Sequence, residues 1–223
     1  MTILEQIAEN VICGHLNANS NYPPEKKGKP GVEELVRQSL NEDCSPRDIL
    51  NEGLIVAMNV VGLKFKNNEY FVPEVLVSAK AMKAGMEILK PKLIETGVEP
   101  RGTVVIGTVE GDMHDIGKNL VGMMLEGAGF KVVDMGVNVS PNRFAQELKN
   151  HPKGILGLSA LLTLTMEKMK TTIEVLKSQG LNNHVIIGGA PVDQSYADSI
   201  GASGYAPDAA SAVPLVKNLL GIS

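Results

Sequence analysis

In Glu110-Gly111-Asp112-Met113-His114-Asp115-Ile116-Gly117 a histidine stands between two carboxylates, just past a run of strand-forming residues, TVVIGTV (103–109). A neutral imidazole is a good donor to a transition metal, and its other ring nitrogen commonly gives its proton to a carboxylate that fixes the tautomer. Asp112, two residues before His114 in an extended segment, faces the same way and suits that role. A hydroxyl from a neighbouring loop, Thr165 or Ser159, would in turn bond the carboxylate. One histidine is too few for a bare ion, which wants three or four protein ligands. It suffices where a macrocycle supplies the rest. Taken alone, the segment also reads as a plain loop in which Asp112 and Asp115 put negative charge at a helix N-terminus and Gly117 relieves crowding.

Such a loop needs a scaffold, and the chain supplies one from residue 103 onward. TVVIGTV precedes a helix over 116–128, and KVVDMGV (131–137) precedes one from Pro141. GILGLSA (154–160) leads to a helix at 165–179, HVIIGG (184–189) to one at 192–200, and SGYA (203–206) to one at 208–219. Five strand units alternating with helices predict a parallel sheet covered on both faces, a Rossmann-like or flavodoxin-like domain. For the order 2-1-3-4-5, ligands sit at the strand carboxyl ends between strands one and three. The 112–117 loop and the hydroxyl-bearing loop 159–165 both fall there.

The first part of the chain is helical instead. Apolar residues recur at helical spacing over 3–16, 31–44, 45–62 and 71–90, with Ser45 as the expected cap and Pro46 at the first position of the third helix. Four helices with short joins predict a bundle over 1–90, a linker over 91–102 and the α/β domain over 103–223. The proline-rich stretch 20–31 is a loop.

The net charge of −4 and the absence of tryptophan argue against a nucleic-acid partner, which would require a basic stripe. No apolar run has the length of a membrane span. Cys13 and Cys44 have no metal-site spacing, and the N-terminus does not resemble a signal, so a cytoplasmic location is expected. No P-loop or Ser-His-Asp set marks a separate substrate site.

GDMHDIGKNLVGMMLEGAGFKVVDMGVNV (111–139) resembles the cobalamin-binding module of the methyl-transferring corrinoid proteins, a group that includes cobalamin-dependent methionine synthase. Three blocks match in order: Asp112-x-His114-x-x-Gly117, Ser159-x-Leu161, and Gly188-Gly189. The stretch NEYFVPEVLVSAKAMKAG (68–85) is similar to the helical cap of the same group. The resemblance implies a corrinoid bound with the base of its nucleotide tail displaced and His114 as the lower cobalt ligand. Asp112 would hold His114, and Thr165 stands where the group often has a serine. Gly111, Met113, Asp115 and Gly117 would border the cofactor. Ser159, Leu161, Thr163, Gly188, Gly189 and Ala209 would line the slot for its tail, and Phe71 would be the cap residue above the cobalt. By themselves, Gly188-Gly189 reads as a tight turn and Phe71 as core.

The implied activity is that of a methyl carrier. Cobalt(I) accepts a methyl group from a donor-specific methyltransferase and passes it to an acceptor methyltransferase, which holds tetrahydrofolate or a thiol coenzyme. A reductive activating protein is implied as a further partner. A cobalamin-binding regulator and an isomerase subunit share the motif and remain alternatives. The 17–31 loop is longer than the group usually shows and reads as a solvated insertion or a partner-specific contact.

Overall fold

The computed structural model describes residues 1–222. They fold as two compact units, the first ending at Pro100 and the second opening at Arg101. Among the described residues no helix is long and apolar enough to cross a membrane.

The first unit is helical, as expected. α1 (Ile3–Ile12) starts from a capping box in which Thr2 and Glu5 exchange backbone and side-chain bonds. α2 (Val32–Asn41) follows the long loop. α3 (Pro46–Asp48) then passes through a π-helical stretch, Ile49–Ile55, into α4 (Val56–Lys66), so the third helical rod outruns its expected end at residue 62. Pro46 takes the first position, but the Ser45 side chain makes no capping bond, contrary to expectation.

α5 (Val72–Glu95) also runs further than expected, through Pro91. A proline deletes one helical bond, but Leu89 and Leu93 are buried on either side of it, and their packing carries the helix across. The first residues of the expected linker are therefore helical, and the connection proper lies at 96–102. Ile7, Val36, Leu54, Val61, Val75 and Leu89 are fully buried within this unit.

The 17–31 loop is no loose insertion. His15 beneath it is fully buried, with ring nitrogens 3.0 Å from the Lys29 carbonyl oxygen and 3.4 Å from that of Tyr22. Lys26 reaches back to Glu9 at 2.6 Å and to Asn10 at 3.2 Å. Two α1 side chains and a buried imidazole pin the loop to the helices.

The second unit is a five-stranded parallel sheet in the order β2-β1-β3-β4-β5. Its strands are β1 (Thr103–Thr108), β2 (Lys131–Asp134), β3 (Ile155–Ser159), β4 (Val185–Gly188) and β5 (Gly204–Tyr205). The crossover helices are α6 (Ile116–Gly127), α7 (Pro141–Asn150), α8 (Thr163–Ser178), α9 (Gln194–Ile200) and α10 (Ala209–Leu219). β1 and β3 run side by side from Val104 opposite Ile155 to Thr108 opposite Ser159. Val105, Leu156 and Leu158 lie in the core under Phe144, Leu148, Met169 and Ile173. Near-continuous burial of β1 and β3 is what strands covered on both faces require. Packing this tight fixes where the two strands end, and so where their loops begin.

Candidate functional site

The loops leaving the carboxyl ends of β1 and β3 meet at Asp112. The carboxyl group is fully buried and accepts bonds on both oxygens. Oδ1 takes the His114 ring at Nδ1, 2.7 Å away, and the His114 backbone N–H at 3.1 Å. Oδ2 takes the Thr165 hydroxyl at 2.7 Å and the backbone N–H groups of Leu161 at 2.8 Å and Leu162 at 3.3 Å. The Thr165 hydroxyl also lies 2.8 Å from the Leu162 carbonyl, and its one proton goes to the carboxylate, the stronger acceptor. Burial alone would push this carboxyl upward. The donors from Leu161, Thr165 and His114 outweigh it and hold the group far below the ordinary carboxylate range.

An ionised carboxylate only accepts, so His114 Nδ1 carries a proton, and in the neutral imidazole the lone pair falls to Nε2. The His114 side chain is half exposed while Asp112 is wholly covered. The pair thus presents one imidazole nitrogen outward from a rigid base.

Asp112 does a second thing. α8 starts two residues earlier than expected, at Thr163, and its cap position is Leu162, which has no side chain able to cap. The carboxylate from the β1 loop supplies acceptors at that helix N-terminus, where negative charge is favoured. One side chain therefore holds both the His114 imidazole and the start of the neighbouring helix.

The loop has braces that sequence reading did not pick out. Thr108, buried at the end of β1, donates its hydroxyl to the His114 carbonyl at 2.8 Å. Lys168 of α8 pairs with Glu110 at 2.9 Å. A threonine in a strand looks like an ordinary β-former, and only the strand's ending at that residue hints at its use.

Of the other expected residues, Ser159 closes β3 and offers its carbonyl to the Val109 N–H at 3.0 Å. Thr163 opens α8. Gly188 and Gly189 follow β4, and Ala209 is buried at the head of α10. Gly189 sits at φ +132°, where a Cβ would lie 1.8 Å from the Ala160 carbonyl oxygen. A Cβ on Gly188 would come 3.0 Å from the Ala206 carbonyl oxygen. The paired glycines thus let the β4 loop pass between those after β3 and β5, an internal reason for glycine that sequence reading had assigned to ligand approach. Phe71 belongs to the helical unit, where it precedes α5 and is 62 % exposed, not core.

The arrangement suits a corrinoid. The donor chemistry is one outward imidazole nitrogen on a carboxylate–hydroxyl base, as a metal with its own equatorial ligands requires. Met113, Leu161 and Leu162 on these two loops, with Ile116 and Leu164 in the first turns of α6 and α8, are exposed apolar side chains. A Cβ at Gly117 would meet nothing within 4 Å, so the protein's own packing does not demand that glycine.

Comparison with known proteins agrees. A B12 binding domain family model matches residues 102–214, and a second model, also described as a B12 binding domain, matches 29–90. A corrinoid protein of Desulfitobacterium hafniense is 43% identical over 195 residues, covering 85% of this chain and 90% of that protein. The dimethylamine corrinoid protein 1 of Methanosarcina acetivorans is 44% identical over 181 residues, 80% of this chain and 85% of its own. The crystal structure of the methanol:cobalamin methyltransferase complex of Methanosarcina barkeri contains a chain that superposes with a TM-score of 0.82 at 28% identity, over 99% of this chain and 80% of that one.

Asp112→Asn tests the buried junction. An amide turns one acceptor oxygen into a donor facing other donors, so the ligand-free protein should lose about 1–3 kcal/mol. The loss would be read as a lower urea midpoint with unchanged slope, and an unshifted midpoint would contradict the bonding described. On the matched domains, the relatives and the site chemistry together, the chain belongs to the corrinoid proteins built on the B12 binding domain and similar to those of methyltransferase systems.

Proposed function

We propose that this protein is a methyl carrier. It binds cobalamin or a related corrinoid with His114 as the lower ligand, and it moves methyl groups between a donor-specific methyltransferase and an acceptor methyltransferase. The observation that carries this reading is the His114–Asp112–Thr165 relay, with Nδ1 bonded inward and half of the imidazole exposed. When bound, the corrin supplies the cobalt centre on which a methyl group rides.

The rest is the work of the chain. Asp112 accepts the hydrogen bond from Nδ1–H, and because it stays ionised, its full negative charge strengthens Nε2 as a donor. Thr165 and the Leu161 and Leu162 amides stop the carboxylate from swinging away. The exposed apolar residues of the two loops keep water from the metal-facing side of the imidazole. The loop at Gly188-Gly189, with Ser159, Thr163 and Ala209, takes the nucleotide tail. Phe71, exposed at the head of α5, is the residue of the helical unit that meets the cofactor, and residues 96–102 form the hinge.

The names of the relatives point to methylated amines or methanol as the donor class. We assign the acceptor side to a methyltransferase carrying a tetrahydrofolate or a thiol coenzyme, with a reductive activating protein to restore the lowest cobalt state.

Two results would test this. After mixing with hydroxocobalamin and gel filtration, corrin absorbance should co-elute with the protein, and His114→Ala should shift that spectrum. Folded protein that retains no corrin of any kind tried would sink the carrier reading. Gly117→Ala should leave the ligand-free protein as stable or up to about 1 kcal/mol more stable, since it adds a better helix former in open space. The same change should cut cobalamin affinity roughly tenfold or more. Unchanged affinity would remove Gly117 from the binding surface.

A further inference from the structure

We propose that Asn138 is a positioning residue which sets the main chain of the ligand loop and, through it, the aim of His114. The inference rests on His114 being the cobalt ligand. Asn138 lies in the loop after β2, and the sheet order puts the β1 loop between this loop and that of β3. Its side-chain Oδ1 accepts the Gly111 N–H at 2.8 Å, and its own backbone N–H donates to the Asp112 carbonyl at 3.0 Å. The Asp112 carboxylate is thus held from the β3 side, while the main chain beside it is held from the β2 side.

The clasp is itself anchored. Asp134, the last residue of β2, takes the Gly136 N–H on Oδ1 at 2.8 Å and the Lys118 ammonium on Oδ2 at 2.5 Å. Lys118 is buried on α6 and also meets Asn119 Oδ1 at 2.6 Å. The Gly136 carbonyl accepts the Thr108 N–H at 3.0 Å, and the Val139 N–H donates to the Thr108 carbonyl at 3.0 Å. Asn138 is therefore held in register with β1 on both sides. Its φ of +52° is left-handed, a conformation that asparagine, aspartate and glycine adopt most readily.

Asn138 makes no bond to the imidazole. It acts through the main chain of two consecutive residues, on the Gly111 N–H and the Asp112 carbonyl, and so on a ligand whose productive placement tolerates about half an ångström. That separates its role from that of Thr165, which bonds the carboxylate directly.

Two variants divide backbone from side chain. Asn138→Gly keeps the left-handed turn and the backbone bond to Asp112 but removes the carboxamide. Asn138→Asp keeps an acceptor oxygen for Gly111. In the protein loaded with cob(II)alamin, axial nitrogen splitting in the electron paramagnetic resonance spectrum reports histidine ligation. Asn138→Gly should lower the ratio of histidine-bound to histidine-free signal roughly tenfold, the equivalent of one net hydrogen bond. In the ligand-free protein it should speed exchange of the Gly111 amide by a similar factor. Asn138→Asp should restore both to within about twofold of the unsubstituted protein.

Faster Gly111 exchange with unchanged nitrogen splitting in Asn138→Gly would overturn the inference alone, since the clasp would then brace the loop without aiming His114. A Gly111 amide that exchanges freely in the unsubstituted protein would overturn it without any variant. Absence of nitrogen splitting in the unsubstituted protein would instead overturn the ligand reading, and this inference with it.

Discussion

A buried carboxylate with every lone pair engaged governs this site. Isolated in the core of the second unit, the Asp112 charge would be costly, and burial alone pushes the group toward its neutral form. Five donors reverse that: the His114 ring and amide on one oxygen, and Thr165, Leu161 and Leu162 on the other. The donors come from two loops, so the charge is stable only when both loops are in place. The same bonds dictate that the neutral imidazole keeps its proton on Nδ1, donates it in a hydrogen bond to Asp112 and presents Nε2.

The fold supplies that coincidence because parallel strands deliver their loops to one edge. β1 and β3 are neighbours although α6, β2 and α7 lie between them in sequence, so the chain turns away on opposite sides of the β1–β3 line. Open α/β sheets take ligands at such a reversal of strand order, and the residues that follow β1 and β3 here include exposed apolar ones. The β2 loop closes on the β1 loop from the other side through Asn138. Gly189 lets the β4 loop run hard against Ala160. The loops after β2 and β3 both bond to the β1 loop, so the imidazole is aimed by the Asp112 carboxylate and by the main chain that holds it.

Much of this was legible in the sequence because periodicity and composition report on burial. Val- and Ile-rich runs with glycine flanks gave five strands, the order assumed for a flavodoxin-like sheet is the one found, and the two-residue spacing of Asp112 and His114 put both on one side of an extended segment. A hydroxyl-bearing loop after so apolar a strand narrowed the partner of Asp112 to Thr165 or Ser159, and the family resemblance chose Thr165, which makes the bond. What escaped reading depended on contacts between distant segments. Thr108 looks like a strand former, Asn138 like any turn residue, and Lys118 like a solvated charge on a helix; partners far along the chain give each its use. The π-helical stretch and the helix through Pro91 escaped because packing overrode local preference. The 17–31 loop read as solvated from its composition, yet a buried His15 pins it.

The central claim is that Asp112 fixes the tautomer of His114 before any cofactor arrives. It is tested most directly by nitrogen-15 NMR of the imidazole in the ligand-free protein, at about pH 9, above the ordinary histidine range. The account predicts a protonated Nδ1 and a bare, pyridine-like Nε2, with the Nδ1 proton lost from the spectrum of Asp112→Ala. A proton found on Nε2 instead would contradict it, because the outward nitrogen would then have no lone pair to give to a metal.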